Sequence, residues 1–180
     1  MLARRSFLLA AAATLALPAS VRASTLDAAS FGLKPGAAED QTRNFQRAVE
    51  TAAGARMPLR LAPGAYKIGE VRLPANTQII GVRGATRLVF QGGTACLSAQ
   101  RADMVTLSGL VIEGAGKALP EKRGLIVLQH GRGVRVEDCE IAGSSHHGIV
   151  LEGIDGMARG NTISGVAKAA IVALDSRGLT

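Results

Sequence analysis

From about residue 70 the chain alternates short β-rich apolar runs with glycine-containing turns, and the runs fall into register. Val105-x-Leu107-x-x-Leu110-x-Ile112 matches Val134-x-Val136-x-x-Cys139-x-Ile141 at a spacing of 29 residues. The template returns more weakly, 22 residues further on, as Gly156-x-Ala158-x-x-Asn161-x-Ile163. A second phrase, Ile126-Val127-Leu128, recurs as Ile149-Val150-Leu151 and Ile171-Val172-Ala173 at spacings of 23 and 22. A period near 22 with two short strands per repeat describes one turn of a solenoid. A single turn cannot bury its apolar face, so stacked turns at strand separation, about 4.8 Å, must lay equivalent residues over one another. The two-residue break inside V-x-V-x-x-C-x-I marks a bend, after which the alternation resumes with apolar side chains still facing inward. The spacing of 29 reads as a 22-residue coil with an added loop, placed at the charged stretch Lys117–Arg123.

One helix is expected ahead of the coils. Phe45, Ala48, Val49 and Ala52 recur at i, i+3, i+4 and i+7, with Asp40 as N-cap and Gly54 as terminator. A solenoid exposes an apolar end layer and an unpaired edge, and an amphipathic helix is a suitable lid for it. The expected architecture is all-β: a right-handed, single-stranded parallel β-helix with an N-terminal capping α-helix. Its expected divisions are a leader at 1–23, the capping helix and first strand in 24–69, and coils over 70–180. Composition agrees. Aromatic residues are 3% of the chain and Trp is absent, whereas a sandwich or barrel ordinarily carries several aromatic anchors.

Residues 1–23 have the form of an export signal. Arg4-Arg5-Ser6-Phe7-Leu8-Leu9 resembles the twin-arginine consensus, an Ala-rich apolar run continues to Leu17, and Val21-Arg22-Ala23 offers small residues for cleavage after Ala23. The apolar run is too short to span a bilayer, so no stable membrane span is expected in the mature chain. The expected partner is the twin-arginine translocation machinery, and the expected location is periplasmic or secreted. Removing three arginines and no acid lowers the formal charge from +7 to +4. With no run of like charge and no basic patch interleaved with aromatics, nucleic acid is not expected as a partner. Cys96 and Cys139 fall in different phases of the repeat and are expected as free, buried thiols.

Asp27-Ala28-Ala29-Ser30-Phe31-Gly32-Leu33, followed by Glu39-Asp40-Gln41-Thr42 at the helix start, resembles the N-terminal segment of pectate-lyase-like β-helix proteins. Pro63-Gly64-Ala65-Tyr66 is similar to the strand that follows there, and Gly81–Thr86 to the next turn. The resemblance covers roughly residues 26–175. With the arginine leader, the whole looks like a family of twin-arginine-translocated repeat proteins without established function. Members of that family are generally longer, and this chain stops mid-coil, which reads as a C-terminal truncation or a remnant of a longer enzyme.

The resemblance implies action on an acidic polysaccharide, by a lyase or C5-epimerase more than a hydrolase; the polygalacturonase signatures are missing, with only His130-Gly131 and His147-Gly148 as fragments. On that reading His147 or His146 removes the C5 proton of a uronate while Arg135 or Arg159 neutralises its carboxylate. Glu137, Asp138, Glu140 and Glu152 are candidate substrate-binding carboxylates, outward-facing near or after the bend. They suit a solvated face equally well, or loosely held Ca²⁺ as in several pectate lyases. The bland alternative for Ser144-Ser145-His146-His147-Gly148 is a polar turn shaped by its glycine. Lys67, Lys117, Lys122 and Arg123 read as ordinary surface charge. A non-catalytic envelope or glycan-binding β-helix protein is the competing function, although Tyr66 and four Phe leave few rings for stacking on sugars.

Overall fold

The structure, a computed structural model, describes residues 24–178. The leader with Arg4 and Arg5 lies outside them. Among the described residues no helix is long and apolar enough to cross a membrane.

The chain begins with β1 (Leu26–Asp27), a 3-10 turn (Ala28–Phe31) and α1 (Thr42–Ala55). It then winds through β2 (Leu59–Arg60), β3 (Gly64–Ile68), β4 (Val71–Arg72), β5 (Gln78–Ile80), β6 (Thr86–Phe90) and β7 (Leu97–Gln100). The later coils contain β8 (Thr106–Ser108), β9 (Val111–Glu113), β10 (Gly124–Glu137), β11 (Glu140–Ala142), β12 (His147–Arg159), β13 (Thr162–Ser164) and β14 (Ile171–Leu174). All pairing between these strands is parallel, and each strand pairs with the equivalent strand one coil away.

Three faces result. The first stacks β4, β7, the opening half of β10, the opening half of β12, and β14. The second stacks β1, β2, β5, β8 and the closing halves of β10 and β12. The third stacks β3, β6, β9, β11 and β13. This is a parallel β-helix. The registers are those expected from the repeat: Val136 lies between Leu107 and Ala158, Ile141 between Ile112 and Ile163, and Ile149 between Ile126 and Ile171. Parallel pairing starts at Leu26 with Leu59, ahead of the change in sequence character near residue 70. The added loop falls between β9 and β10, across Lys117–Arg123 as expected.

The bend from the second face to the third has a left-handed residue in successive coils: Gly109 (φ 66°), Asp138 (φ 53°) and Gly160 (φ 66°). That conformation turns the chain within two residues and restores the inward phase for Leu110 and Cys139, both fully buried. Asn161 holds the same position one coil later. Its Oδ1 accepts from the Cys139 amide at 3.0 Å and its Nδ2 donates to the Val136 carbonyl at 2.7 Å, so the side chain staples one bend to the next.

Helix α1 closes the first coil with Phe45, Ala48, Val49 and Ala52, all buried. Two expectations about its ends are corrected. The helix starts at Thr42 with Gln41 at the cap position; Asp40 sits one residue earlier, where its Oδ1 accepts from the Thr42 amide at 2.9 Å. Gln41 is free of cap duty because its amide exchanges two hydrogen bonds with the Lys34 backbone. Gly54 lies inside the helix. The stop comes at Arg56, left-handed at φ 52°, where the amides of Arg56 and Met57 bond back to Ala53 and Ala52 and close the last turn.

Cys96 and Cys139 are free and fully buried. Burial pushes the Cys96 thiol up to about 12 and the Cys139 thiol up to about 11, the latter helped by the Asp138 charge. Neither supplies a thiolate for chemistry at neutral pH.

Candidate functional site

Strand alternation sends every second residue of the first face outward, and these residues line a groove of about 570 Å3. Arg72, Ser98, Gln100 and Gln129 form its floor across three coils. Helix α1 closes one end with Gln46 and Glu50, while Glu70, Thr94 and Arg123 stand at the turns leading into the first face. The end wall is tied to the floor: the Gln46 amide donates to the Arg72 carbonyl and accepts from the Arg72 N–H, as a neighbouring strand would.

Glu70 is the most constrained carboxylate here. It accepts from the Thr94 amide (3.1 Å), the Thr94 hydroxyl (2.8 Å) and the Ser98 hydroxyl (3.2 Å). Burial acts to raise its pKa, but these hydrogen bonds and the Arg72 charge outweigh it and the net displacement is downward. Its folded pKa therefore lies below the unfolded one, so the stabilisation is complete above the ordinary value of 4.5 and disappears as pH falls through the folded value. Thermal melts of the wild type should lose stability across that acid window. Glu70→Gln should flatten the loss; an unchanged acid limb would show that other carboxylates cause it.

The residues selected from sequence do not form one cluster. His147 opens β12, its amide donating to the Arg123 carbonyl, which puts it one coil beyond the groove's Arg123. Its Nδ1 accepts from the Ala169 amide at 3.1 Å, so the neutral ring carries its proton on Nε2. His146 packs edge-on against it, centroids 4.4 Å apart, with Nδ1 shielded from solvent and without a hydrogen bond. Ser144 organises this turn, donating to the His147 carbonyl and accepting from the His146 amide. Glu152 lies on the first face next to the groove, where it accepts from Gln129 at 2.6 Å.

Arg135, Glu137 and Arg159 belong to the second face. Glu137 is less solvated than its outward phase implied: Oε1 is shielded and lacks a hydrogen bond, and the largely exposed Arg159 guanidinium stands 3.7 Å away. Asp138 and Glu140 both approach Arg83 at the bend, at 3.4 and 4.0 Å. Each of these three carboxylates thus faces an arginine. Among the described residues no three His, Cys, Asp or Glu side chains converge as a metal site requires, and the set does not fit calcium.

Solved structures share this winding. A candidate glycosyl hydrolase from Parabacteroides merdae ATCC 43184 superposes with a TM-score of 0.75 over 87% of this chain and 82% of its own, at 16% identity. The A-modules of the Azotobacter vinelandii mannuronan C-5 epimerases AlgE4 and AlgE6 superpose with TM-scores of 0.59 and 0.55, at 13% and 14% identity. Each match covers 86% of this chain, which spans 59% and 58% of the two modules. The likeness is one of fold. No family model matches the sequence, and no curated protein matches it. Reading the sequence by residue type missed Arg72, Glu70, Arg123 and Gln129 as groove residues; of the carboxylates it selected, Glu152 is the one placed next to the groove, in register with Gln129.

Proposed function

We propose that this protein is exported by the twin-arginine route to the periplasm or beyond, and there holds an acidic polysaccharide in the groove of the first face. One observation carries the proposal: a polar trough crosses three coils, with arginines at two levels and hydrogen-bonding side chains between them. An extended sugar chain laid along the coil axis would meet a new set of amide and hydroxyl groups at each rung. Lyase or C5-epimerase chemistry is the enzymatic form of this reading, and the fold shared with mannuronan C-5 epimerase modules supports it. In that chemistry Arg123 would balance the uronate carboxylate, while His147, one coil beyond and with its Nδ1 engaged by Ala169, would offer the polymer a hydrogen bond from Nε2–H and not exchange a proton.

A second reading, binding without turnover, draws support from the same side chains. His147 Nδ1 is engaged by Ala169, and Glu70 is held ionised by its hydrogen bonds, which leaves the groove without a strong base. Incubation with alginate, pectate and glucuronan separates the two: new absorbance from unsaturated sugars marks a lyase, and C5 inversion seen by NMR marks an epimerase. Binding with neither signal selects the second reading. Arg123→Ala is expected to weaken polymer binding about ten-fold in either case. If no acidic polysaccharide binds, or if Arg123→Ala and Arg72→Ala bind as well as the wild type, the groove assignment is wrong. Export is checked separately: Arg4→Lys with Arg5→Lys should leave the protein in the cytoplasm.

A further inference from the structure

The order of charges along the groove has a period of its own. Arg72 lies on β4, the first rung of the first face. Glu70 reaches over the second rung, where its carboxylate is fixed to Thr94 and to Ser98, the ladder partner of Arg72. Arg123 adjoins Gly124 at the start of β10, the third rung. Read along the coil axis, positive, negative and positive groups follow one another at successive rungs. Glu50 adds a second carboxylate at the α1 end, tied to Gln46. The arginines stand two rungs apart, about 10 Å along the axis at ordinary strand separation. The strand side chains at the level between them, Ser98 and Gln100, are neutral, so the Glu70 carboxylate is the charge found there.

One rung is close to the rise of one pyranose ring in an extended glycan. We infer that the groove selects a polyanion carrying its carboxylates on alternate rings, a uronate alternating with a neutral sugar, over a homopolymer charged at every ring. This rests on the groove being the polysaccharide site. An alternating chain places its carboxylates at Arg72 and Arg123 and sets a neutral ring, rich in hydroxyl and amide groups, against the Glu70 carboxylate. A homopolyuronate in the same position must bring one carboxylate against Glu70, and like charges in a partly dehydrated trough oppose binding.

The test is calorimetric titration of the full chain with two unbranched oligosaccharides of equal ring number. One is a hyaluronan hexasaccharide, with a carboxylate on every second ring; the other is a mannuronate hexamer, with one on every ring. Unspecific attraction to a basic protein favours the mannuronate, which has twice the charge, so the opposite order is informative. The hyaluronan hexamer is expected to bind at least ten-fold tighter. Glu70→Gln should narrow that ratio, chiefly by strengthening the mannuronate, and Arg123→Ala should weaken the hyaluronan. The wild-type ratio stands whether or not Glu70→Gln folds normally, and a melting curve of the variant checks its fold. If the mannuronate binds equally or better, with Arg123→Ala still weakening it, the acidic-polysaccharide reading survives and the alternation is refuted. Binding of neither oligosaccharide, or binding indifferent to both arginines, removes both.

Discussion

Truncating Ile141 to alanine is expected to lower the free energy of unfolding by about 3 kcal/mol, within the usual range for a buried isoleucine. Ile141 is fully buried on the third face with Ile112 on one side and Ile163 on the other, so its removal leaves a hole between two coils that cannot close independently. The same truncation at Ile163 should cost less than half as much, because this side chain occupies the same column yet is only partly buried. Urea unfolding of both variants measures the difference. Equal losses would mean that the column is not a continuous stack, and the picture of rungs burying one another would fail with it.

Gly156→Ala is expected to destabilise by about 3 kcal/mol, the upper end for overpacking. Gly156 sits opposite Val134, at the register shift where β10 and β12 turn from the first face to the second. Its φ lies outside the left-handed region, so the reason for glycine is proximity: a β-carbon would overlap the Val134 carbonyl oxygen of the preceding coil. Gly131 is in the same situation one coil earlier, against the Ala102 carbonyl. The identical substitution at Gly54, inside α1 with open space around a β-carbon, should instead stabilise by about 0.5–1 kcal/mol through helix propensity. Opposite signs at the two positions, read from thermal melts, are the predicted result; a neutral Gly156→Ala would show that the turn can spread.

The fold was legible because stacking forces equivalent residues into columns, and columns leave a period in the sequence. Ile126, Ile149 and Ile171 face one another across parallel ladders and are also 23 and 22 residues apart. The groove left no such trace. Its members come from early coils of unequal length and from different parts of the coil: Gln46 from the lid, Glu70 and Arg123 from turns, Arg72 from a two-residue strand. Nothing in residue type separates Arg123 from the neighbouring loop charges until the inserted loop is seen to lead onto the first face. The histidines mislead for the converse reason. Their chemistry suits a site, but the nitrogen a base would need on His147 is occupied by an amide one coil away, which the sequence does not record. The helix ends differ from the sequence pattern for a local reason, since Gln41 prefers the Lys34 backbone to the cap and the turn closes on Arg56 two residues beyond Gly54.

The sealed sulfurs have a consequence for where such a molecule can operate. Cys96 and Cys139 show no surface to solvent, and their thiols stay protonated far above neutrality, so glutathione and thiol-exchange enzymes find no partner on the native protein. The native solenoid is held without a disulfide between Cys96 and Cys139, and both thiols are shielded from a shift in ambient redox potential.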